Sequence, residues 1–493
     1  MQPCPRPFNL ADCVLDAGRA TPDKIALAVL GPARAERWSF ARLEAAVRGT
    51  AGGLLAQGLV PGDRVLLRLG NTADFPLAFL GAIAAGLIPV PTAEGLTARE
   101  LDRIMPIVTP RAILAAPGVS RPRDTGALVL TDPGALARHA PADFVMGDPD
   151  RLAYIVFTSG SSGQPKAVAH AHRALWARRM MWEGWYGLRD SDRVLHAGAF
   201  NWTFTLGTGL LDPWSRGATA LIPAPGSDIA ALPLLLKRHD ATIFAAAPGV
   251  FRKLLSGDGR LDLPKLRHAL SAGEKLPETL RAGWQAATGT PIHEALGMSE
   301  CSTFVSGSPA RPAPFGRLGY PQAGRRLAIL TEDGQPAPPG QPGILAIHRS
   351  DPGLMLGYLA PTGLDLPLSG AWFLTGDLVA QDAEGALIYH GRRDDLLTTG
   401  GFRVAPLEIE TLFQSAPGVV DCAALALAVK AETEVIALAY VGTATPEALA
   451  ALADGQLARY KQPRLYIPLP ALPRSANGKL DRRALAQILK DRP

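Results

Sequence analysis

Up to about residue 390, short apolar runs alternate with stretches that suit a helix. The clearest instance is Arg64–Leu69, followed by Ala78–Gly86 and then Ile88–Val90. Strands that alternate with helices form parallel sheets whose faces are covered by helices. Further runs of this kind predict buried strands at Ala112–Ala115, Leu128–Leu130, Leu152–Phe157, Thr219–Ile222, Ile243–Ala246 and Ile344–Ile347. The alternation therefore predicts an α/β fold built on parallel or mixed sheets.

The pattern changes beyond Arg392. The helices and strands predicted there are Pro406–Gln414, Val419–Val429, Val435–Val441 and Pro446–Leu457. A mixture of this kind over about 100 residues is typical of a smaller α+β domain. We predict a large domain over residues 1–391 and a small one over residues 392–493. No Pro/Gly-rich linker joins them, so any hinge is expected on a few residues at Arg392–Asp395.

Composition and charge exclude several classes. Apolar residues make up 47% and charged residues 19%, which excludes a disordered chain. The formal charge of +5 over 493 residues is too small for a surface that follows nucleic-acid phosphates. The cysteines are scattered and form no C-x-x-C pair; they are Cys4, Cys13, Cys301 and Cys422. We therefore expect neither a disulfide framework nor a zinc site. A protein of the reducing cytoplasm fits this pattern.

No membrane segment is predicted. The N-terminus lacks the pattern of a signal peptide. The most apolar stretch, Leu77–Val90, is broken by Gly81 and Gly86 and falls short of the roughly 20 residues that span a bilayer. We expect it to form a buried helix that leads into a strand at Leu87–Val90.

One loop predicts an anion site. The chain reads Tyr154-Ile-Val-Phe-Thr-Ser-Gly-Ser-Ser-Gly-Gln-Pro-Lys166, which predicts a buried strand and a loop, followed by a helix at Ala167–Arg178. Backbone N–H groups of such a loop can converge on phosphate because glycine has no Cβ, and hydroxyls and a lysine add donors. A Walker A pattern does not fit Gly160–Ala167. A polyphosphate is the predicted ligand, and a flexible connector is the alternative.

The segment Thr158–Lys166 resembles the phosphate loop of the adenylate-forming superfamily, which includes acyl-CoA synthetases, peptide-synthetase adenylation domains and luciferases. Other motifs follow in the family's order: Leu296-Gly-Met-Ser-Glu300, Thr375-Gly-Asp377, Gly391-Arg-Arg-Asp-Asp395 with Gly400-Gly-Phe-Arg403, and Ser475-Ala-Asn-Gly-Lys-Leu480. Chance does not readily explain several motifs that follow one another in the family's order. The resemblance implies a large N-terminal domain with a distorted barrel subdomain, and a small mobile C-terminal domain.

The resemblance also implies how ATP is held. When a carboxylate attacks the α-phosphorus two anions meet, so positive charge and donors must be in place. The residues that resemble the grip on the phosphates are Thr158, Ser159, Gly160, Ser161, Ser162, Gly163 and Lys166. Glu300, after Ser299, resembles the carboxylate that helps to hold Mg2+, although a helix-initial acid is the alternative.

The nucleoside side follows from the same resemblance. Asp377, assisted by Arg392, resembles the residue that accepts both ribose hydroxyls; an ordinary turn is the alternative. Gly273 and Glu274 resemble the adenine-side loop, and Glu294 resembles an acid near the adenine amino group.

The small domain brings its own residues. Lys479 resembles the lysine that reaches the reacting carboxylate and the α-phosphate, where a compact charge on a flexible stem is suitable; a solvated surface lysine is the alternative. Arg403 would lie on the phosphate side in one domain orientation. Gly400 and Gly401 resemble the passage for the thiol arm of CoA. Asp394 resembles the hinge, with a surface acid as the alternative.

The segment expected to bind the acyl group does not fit an amino-acid substrate. The segment Ala199–Thr205 has no aspartate to pair with an ammonium group, and a buried unpaired charge is costly. Gly297 stands where acetate-restricted members have a tryptophan, so an acyl group larger than acetyl is expected. The predicted pocket residues, with core packing as the alternative, are Phe200, Trp202, Phe204, Leu296 and Gly297.

These features resemble medium-chain and benzoate-type acyl-CoA ligases most. They predict a cytoplasmic enzyme that uses ATP, Mg2+ and CoA to convert a small to medium apolar or aromatic acid into its thioester. The alternatives are an enzyme that loads a carrier protein and a nucleotide-binding protein without catalysis. No nucleic-acid partner is expected, and a homodimer is left open. His170 and His172 lack a third ligand nearby, so we expect them to flank the nucleotide loop.

Overall fold

The computed structural model describes residues 2–31, 33–123, 125–159, 165–257, 259–399, 402–430, 433–459, 461–475 and 478–491. Its strands are β1 (Ile25–Leu30), β2 (Ala35–Ser39), β3 (Arg64–Arg68), β4 (Ile88–Pro91), β5 (Ala112–Ala115), β6 (Leu128–Leu130), β7 (Leu152–Ser159), β8 (Pro165–Ala171), β9 (Arg193–His196), β10 (Thr219–Pro223), β11 (Ile243–Ala246), β12 (His268–Ala272), β13 (Ile292–Met298), β14 (Ser302–Ser306), β15 (Tyr320–Pro321), β16 (Leu327–Leu330), β17 (Gly343–His348), β18 (Gly357–Ala360), β19 (Gly363–Asp365), β20 (Trp372–Gln381), β21 (Leu387–Arg392), β22 (Leu397–Thr399), β23 (Phe402–Val404), β24 (Val419–Lys430), β25 (Thr433–Gly442) and β26 (Leu465–Pro468).

The α-helices are α1 (Leu10–Asp16), α2 (Phe40–Ala56), α3 (Asp74–Ala84), α4 (Ala98–Val108), α5 (Pro133–Leu136), α6 (Arg173–Arg178), α7 (Asp212–Ser215), α8 (Leu232–Arg238), α9 (Pro248–Leu254), α10 (Glu278–Thr288), α11 (Pro406–Gln414), α12 (Pro446–Gln456) and α13 (Arg482–Lys490). Short π-helical segments run over Trp182–Tyr186 and Thr205–Leu211, and 3-10 segments over Ala17–Ala20, Ile229–Ala231 and Arg393–Asp395.

A nine-stranded sheet forms the centre of the large unit. Its order is β15-β14-β13-β12-β11-β9-β10-β1-β2, and the strands from β13 to β1 run parallel. Strand β11 is buried along its whole length, because helices cover both faces of such a sheet. Ligands bind outside the carboxyl ends of parallel strands. The segments that leave β9, β12 and β13 are therefore placed to form a site.

Three further four-stranded sheets surround this one. The sheet β4-β3-β5-β6 is parallel, whereas β19-β18-β8-β7 and β16-β17-β20-β21 are antiparallel. Helix α3 leads into β4, as the apolar run Leu77–Val90 predicted. The α/β prediction with mixed sheets is confirmed.

The helix predicted at Ala167–Arg178 is wrong over its first half. Residues Pro165–Ala171 form strand β8, which pairs with β7 on one side and β18 on the other, and only Arg173–Arg178 is helical. Backbone pairing on both sides decides the conformation here, because tertiary context overrides the weak helix preference of such a segment. The predicted phosphate loop therefore joins two antiparallel strands and does not begin a helix.

The C-terminal unit has its own core. Strands β24, β25 and β26 form one sheet, and the buried clusters of this region contain only residues from Leu397 to Leu489. Inside it, Arg482 Nη2 donates to Glu410 Oε1 at 2.8 Å. The helices and strands predicted for this unit are confirmed to within two residues.

The four cysteines are free thiols. Across the part of the chain that the structure describes, no helix has both the length and the apolar character needed to cross a bilayer.

Candidate active site

A cleft of about 830 Å³ opens beyond the carboxyl ends of β12 and β13, and residues of both units line it. This volume is in the range of small-molecule sites. The predicted site residues that line it are Thr158, Lys166, Gly273, Glu274, Glu294, Leu296, Gly297, Ser299, Glu300, Asp377, Arg392, Asp394 and Lys479. Residues that lie far apart in the sequence thus share one cavity.

Asp377 forms one wall of the cleft. Its Oδ1 accepts a hydrogen bond from Tyr389 Oη at 3.0 Å, and Arg392 Nη1 lies 3.5 Å from the same oxygen. Burial raises the pKa of Asp377, while Arg392 and the Tyr389 hydroxyl act to lower it. Gly376 has φ of +78°, and a Cβ there would lie 2.9 Å from Arg392 Nη2, so this position requires glycine. The carboxylate is well placed to accept hydroxyl groups.

Glu300 lies in the turn between β13 and β14, and its side chain is buried. Tyr358 Oη donates to Glu300 Oε1 at 2.8 Å, and Lys166 Nζ lies 4.7 Å from the centre of the Tyr358 ring. Burial, strengthened by the Glu300 carboxylate, raises the pKa of Tyr358 and keeps the phenol protonated. The tyrosine thus connects the lysine of the predicted phosphate loop with the predicted metal ligand.

The surroundings of Glu300 suit a magnesium ion. Mg2+ is commonly held by one or two carboxylates together with waters and substrate phosphates. Among the described residues no group of three or more acidic, histidine or cysteine side chains could hold a metal alone. A buried carboxylate that shares the cleft with Lys166 fits an ion that arrives with a polyphosphate.

Lys479 reaches the cleft from the C-terminal unit. It lines both the cleft and a second, narrower cavity, so its side chain lies where the two meet. A Cβ built on Gly273 would lie 3.6 Å from Lys479 Cε and 2.7 Å from Trp202 Cζ2, which shows how closely both side chains approach this loop. The Lys479 side chain remains exposed to the open cleft; partial desolvation there lowers its pKa, and Glu274 partly offsets that effect.

Glu294 supports the loop that carries Gly273. Its carboxylate accepts from Lys275 Nζ at 2.8 Å, from the Leu276 backbone N–H at 2.7 Å and from Arg281 Nη2 at 3.1 Å. Its side chain is only 1% exposed. These partners hold the carboxylate within the protein, so Glu294 fixes the shape of the loop. A direct bond to a bound base would compete with them.

The second cavity is the candidate acyl site. Trp202, Phe204 and Gly297 line it, whereas Leu296 lines the main cleft. Phe200 differs from the prediction, because its ring lies in the core and stacks on Phe75 at 4.9 Å.

Gly297 lines this cavity, and the pairing of its strand gives a further reason for a glycine there. A Cβ on Gly297 would lie 2.6 Å from the Ser302 carbonyl oxygen, in strand β14. The glycine is required where the β13–β14 register shifts, and a side chain there would meet the partner strand.

Comparison with known protein families gives a match over most of the chain. Residues 15–359 match the model of the AMP-binding enzymes, and residues 408–479 match the AMP-binding enzyme C-terminal domain. The chain belongs to the AMP-binding enzymes.

Individual relatives indicate the branch of the family to which the chain belongs. The 3-hydroxybenzoate–CoA ligase of Aromatoleum sp. (strain CIB) is 30% identical to this AMP-binding enzyme, over 94% of this chain and 93% of that one. The benzoate–CoA ligase of Thauera aromatica is also 30% identical, over 95% and 90%. ATP-bound MatB from Rhodopseudomonas palustris superposes with a TM-score of 0.89 at 25% identity, covering 98% of this chain and 99% of that one. The chain falls in the acyl-CoA synthetase branch of the adenylate-forming superfamily, among AMP-forming acid–thiol ligases.

The structure of this AMP-binding enzyme adds residues that the sequence did not indicate. The most buried is Arg178, which lines the acyl cavity and forms a 2.6 Å ion pair with Asp212. Its neighbour Arg179 is also basic, so the sequence resembles an exposed helical pair and carries no signal of burial. Tyr358 and Tyr389 were also missed, because each meets its acid only through the tertiary fold.

Arg474 is a further addition. Its Nη1 donates to the Gly478 carbonyl at 2.8 Å and lies 3.4 Å from the Glu274 carboxylate, while its Nη2 donates to Asp421 at 2.6 Å. This one side chain therefore ties the segment that carries Lys479 to the loop at Gly273.

The two histidines of the H-x-H pattern have internal partners. His170 Nε2 lies 2.7 Å from the Ser299 carbonyl oxygen, and His172 Nδ1 accepts from the Leu10 N–H at 3.0 Å. Burial lowers the pKa of His170 to about 4 and that of His172 to about 3, so both are neutral.

Several predicted residues lie outside the described residues, namely Gly160, Ser161, Ser162, Gly163, Gly400 and Gly401. Ser159 ends strand β7 and Arg403 lies within β23, but only their backbones are described.

Proposed function

We propose that this AMP-binding enzyme activates a small to medium apolar or aromatic carboxylic acid as its acyl-adenylate and then transfers the acyl group to CoA. One observation carries the proposal. Lys479 lies at the junction of the nucleotide-sized cleft and the narrower cavity lined by Trp202 and Phe204. This position supports a role for its ammonium group between the nucleotide and the acid.

In the first step, the acid's carboxylate attacks the α-phosphorus of ATP and pyrophosphate leaves. Lys479 neutralises the negative charge that the two reactants bring together. Lys166 holds the outgoing phosphates, and Asp377 accepts the ribose hydroxyls. Glu300 would hold Mg2+, which neutralises phosphate charge when bound. The cavity beyond Trp202 keeps water from the acyl-adenylate.

In the second step, the CoA thiolate attacks the acyl carbon and AMP leaves. Lys479 occupies the junction in the arrangement described above, so a thiol can approach only after it withdraws. We propose that the chain divides at residues 391 and 392 and that rotation near Asp394 withdraws it. The separate buried clusters on either side of this point support the division.

The test measures acid-dependent release of AMP with Mg-ATP and CoA for acetate, octanoate, benzoate, phenylacetate and amino acids. Turnover of apolar acids with formation of the CoA thioester is expected. Absence of acid-dependent pyrophosphate release would contradict the proposal.

Two variants test the role of Lys479. Replacing Lys479 by Ala should lower adenylation by about 10²- to 10³-fold and leave thioester formation from supplied acyl-adenylate unchanged. Lys490→Ala is the matched control, because Lys490 is an exposed lysine of the same unit. Equal loss of both half-reactions in Lys479→Ala would refute the role.

Loading of a carrier protein is the second candidate function, since its first half-reaction is the same. It would be favoured if pyrophosphate were released without formation of an acyl-CoA.

A further inference from the structure

The inner end of the acyl cavity is polar. Arg178, Thr208 and Ser302 line the cavity together with Trp202 and Phe204. A neighbouring small cavity shares Arg178, Thr203, Ser299 and Ser302 with it but not Lys479. The Arg178 end therefore lies away from the lysine that would face the carboxylate.

The guanidinium of Arg178 is buried and almost fully paired. Its Nε and Nη2 donate to the two oxygens of Asp212 at 2.9 and 2.6 Å, and Nη2 also lies 3.3 Å from Tyr186 Oη. Nη1 donates to Ser302 Oγ. A guanidinium has five N–H bonds. Within the described residues these partners use four, which leaves one Nη1 hydrogen for a ligand.

Thr208 offers the complementary atom. Tyr186 Oη donates to Asp212 Oδ2 at 2.6 Å, so in its 2.9 Å contact with Thr208 it accepts the threonine hydrogen. The Thr208 oxygen then retains a lone pair with which to accept a hydrogen bond. Thr208 and Arg178 are 2% and 5% exposed, so a ligand atom between them would be out of water.

The fold makes room for this arrangement. Gly207 lies in the π-helical segment Thr205–Leu211, and a Cβ there would lie 2.0 Å from Arg178 Nη2. Any side chain would displace the guanidinium. Single-turn π-helical segments often occur at functional sites.

We propose that Arg178 and Thr208 bind a hydroxyl group on the ring of the substrate, so that the acid is a meta- or para-hydroxylated aromatic acid. This rests on the proposed function above. A hydroxyl can accept from Arg178 Nη1 and donate to Thr208 Oγ1 at the same time, whereas a halogen, an ether or a ring hydrogen cannot do both. An ortho hydroxyl would stay near the carboxylate and Lys479.

The pairing with Asp212 also excludes a second carboxylate. The Arg178–Asp212 pair has no net charge. The second carboxylate of a dianionic acid would therefore lie near the Asp212 carboxylate and find no unpaired cation to bind. Neutral hydroxyl recognition is what the charges favour.

The test compares kcat/KM in acid-dependent AMP formation for benzoate, 3-fluorobenzoate, the three hydroxybenzoates and isophthalate. A hydrogen bond to a charged group predicts a preference of about tenfold to a hundredfold for 3- or 4-hydroxybenzoate over benzoate and 3-fluorobenzoate. Equal values, a preference for the 2-hydroxy isomer or a preference for isophthalate would overturn the inference. Benzoate turnover would still support the proposed function in those cases, whereas no turnover of any acid would contradict both.

Two variants locate the effect. Thr208→Val and Arg178→Lys should each lower the ratio of kcat/KM for the preferred hydroxybenzoate to kcat/KM for benzoate at least threefold. Arg267→Lys is the matched control, because Arg267 forms the same kind of pair with Asp192, at 2.6 Å, outside the cavity. Equal losses on both acids would show that Arg178 is only structural. If Arg178→Lys fails to fold, Thr208→Val decides the question.

Discussion

Two arginine–aspartate pairs flank the candidate site, and they are built differently. Arg178 and Asp212 are 2.6 Å apart with side chains 7% and 1% exposed, whereas Arg392 and Asp377 are 3.5 Å apart with side chains 41% and 7% exposed. The first pair has bidentate geometry and further hydroxyl partners, so it fixes the shape of a cavity. The second leaves the aspartate loosely paired and free to exchange partners. The short pair holds the Arg178 guanidinium in one position, whereas the long pair leaves the Asp377 carboxylate able to accept a new partner.

The largest expected effect breaks the short pair. Replacing Asp212 by Asn leaves the Arg178 charge buried without its counter-charge, which should lower the free energy of unfolding by about 3–5 kcal/mol. Urea denaturation measures this change. The double variant Arg178→Met with Asp212→Leu should recover most of the loss, because both charges are removed together. If Asp212→Asn alone were as stable as the parent protein, the structural role given to the short pair would be contradicted.

The matching change in the long pair should behave in the opposite way. Burial raises the pKa of Asp377, so the folded state binds its proton more tightly than the unfolded chain does. Ionisation of Asp377 therefore lowers stability as pH rises towards that raised pKa, and the penalty remains at pH 7. Asp377→Asn removes the penalty, so the unfolding free energy at pH 7 should stay equal or rise.

The same Asp377→Asn variant should bind ATP more weakly. Loss of a charged acceptor should raise KM for ATP by about tenfold to a hundredfold, measured by pyrophosphate release at saturating acid. If Asp377→Asn were destabilised and its KM for ATP were unchanged, Asp377 would have a structural role and not a ligand-binding one.

A smaller effect is expected at Arg474, whose 3.4 Å contact with Glu274 resembles the long pair while its 2.6 Å bond to Asp421 resembles the short one. Arg474→Ala should lower adenylation about tenfold by loosening the segment before Lys479, and Arg474→Lys should restore part of it. Thioester formation from supplied adenylate should not change. Loss in both half-reactions would indicate a structural role only.

The smallest effect is expected at the surface pair of Lys237 and Asp262, which are 2.5 Å apart and 54% and 72% exposed. Short distance alone does not stabilise an exposed pair. Asp262→Asn should leave the urea midpoint of unfolding unchanged within error. A change as large as that of Asp212→Asn would show that distance, not burial, sets these energies.

Sequence reasoning succeeded where local pattern and function coincide. Parallel strands such as Ile243–Ala246 have continuous apolar runs, and the motifs around Lys166, Glu300 and Lys479 line one cleft. It failed where pairing between distant segments decides. The strand Pro165–Ala171 looked helical because one of its two partner strands, β18, is distant in the sequence.

The polar end of the acyl cavity could not be predicted for the same reason. Arg178 and Asp212 are 34 residues apart, and no pattern in the sequence indicates that they pair. Phe200, by contrast, was predicted to line the pocket because its neighbours do, yet it packs into the core. Alternation along an irregular segment does not say which aromatic faces a cavity.

The contact of Trp202 with the Gly273 loop has a practical consequence. The indole ring and the stem of Lys479 lie against the same glycine, at the junction of the two cavities. The rotation proposed near Asp394 would move Lys479 away from this glycine and would thereby change the surroundings of the indole. Trp202 should therefore act as a built-in optical probe of the catalytic cycle, and its fluorescence should change after pyrophosphate leaves and before CoA reacts.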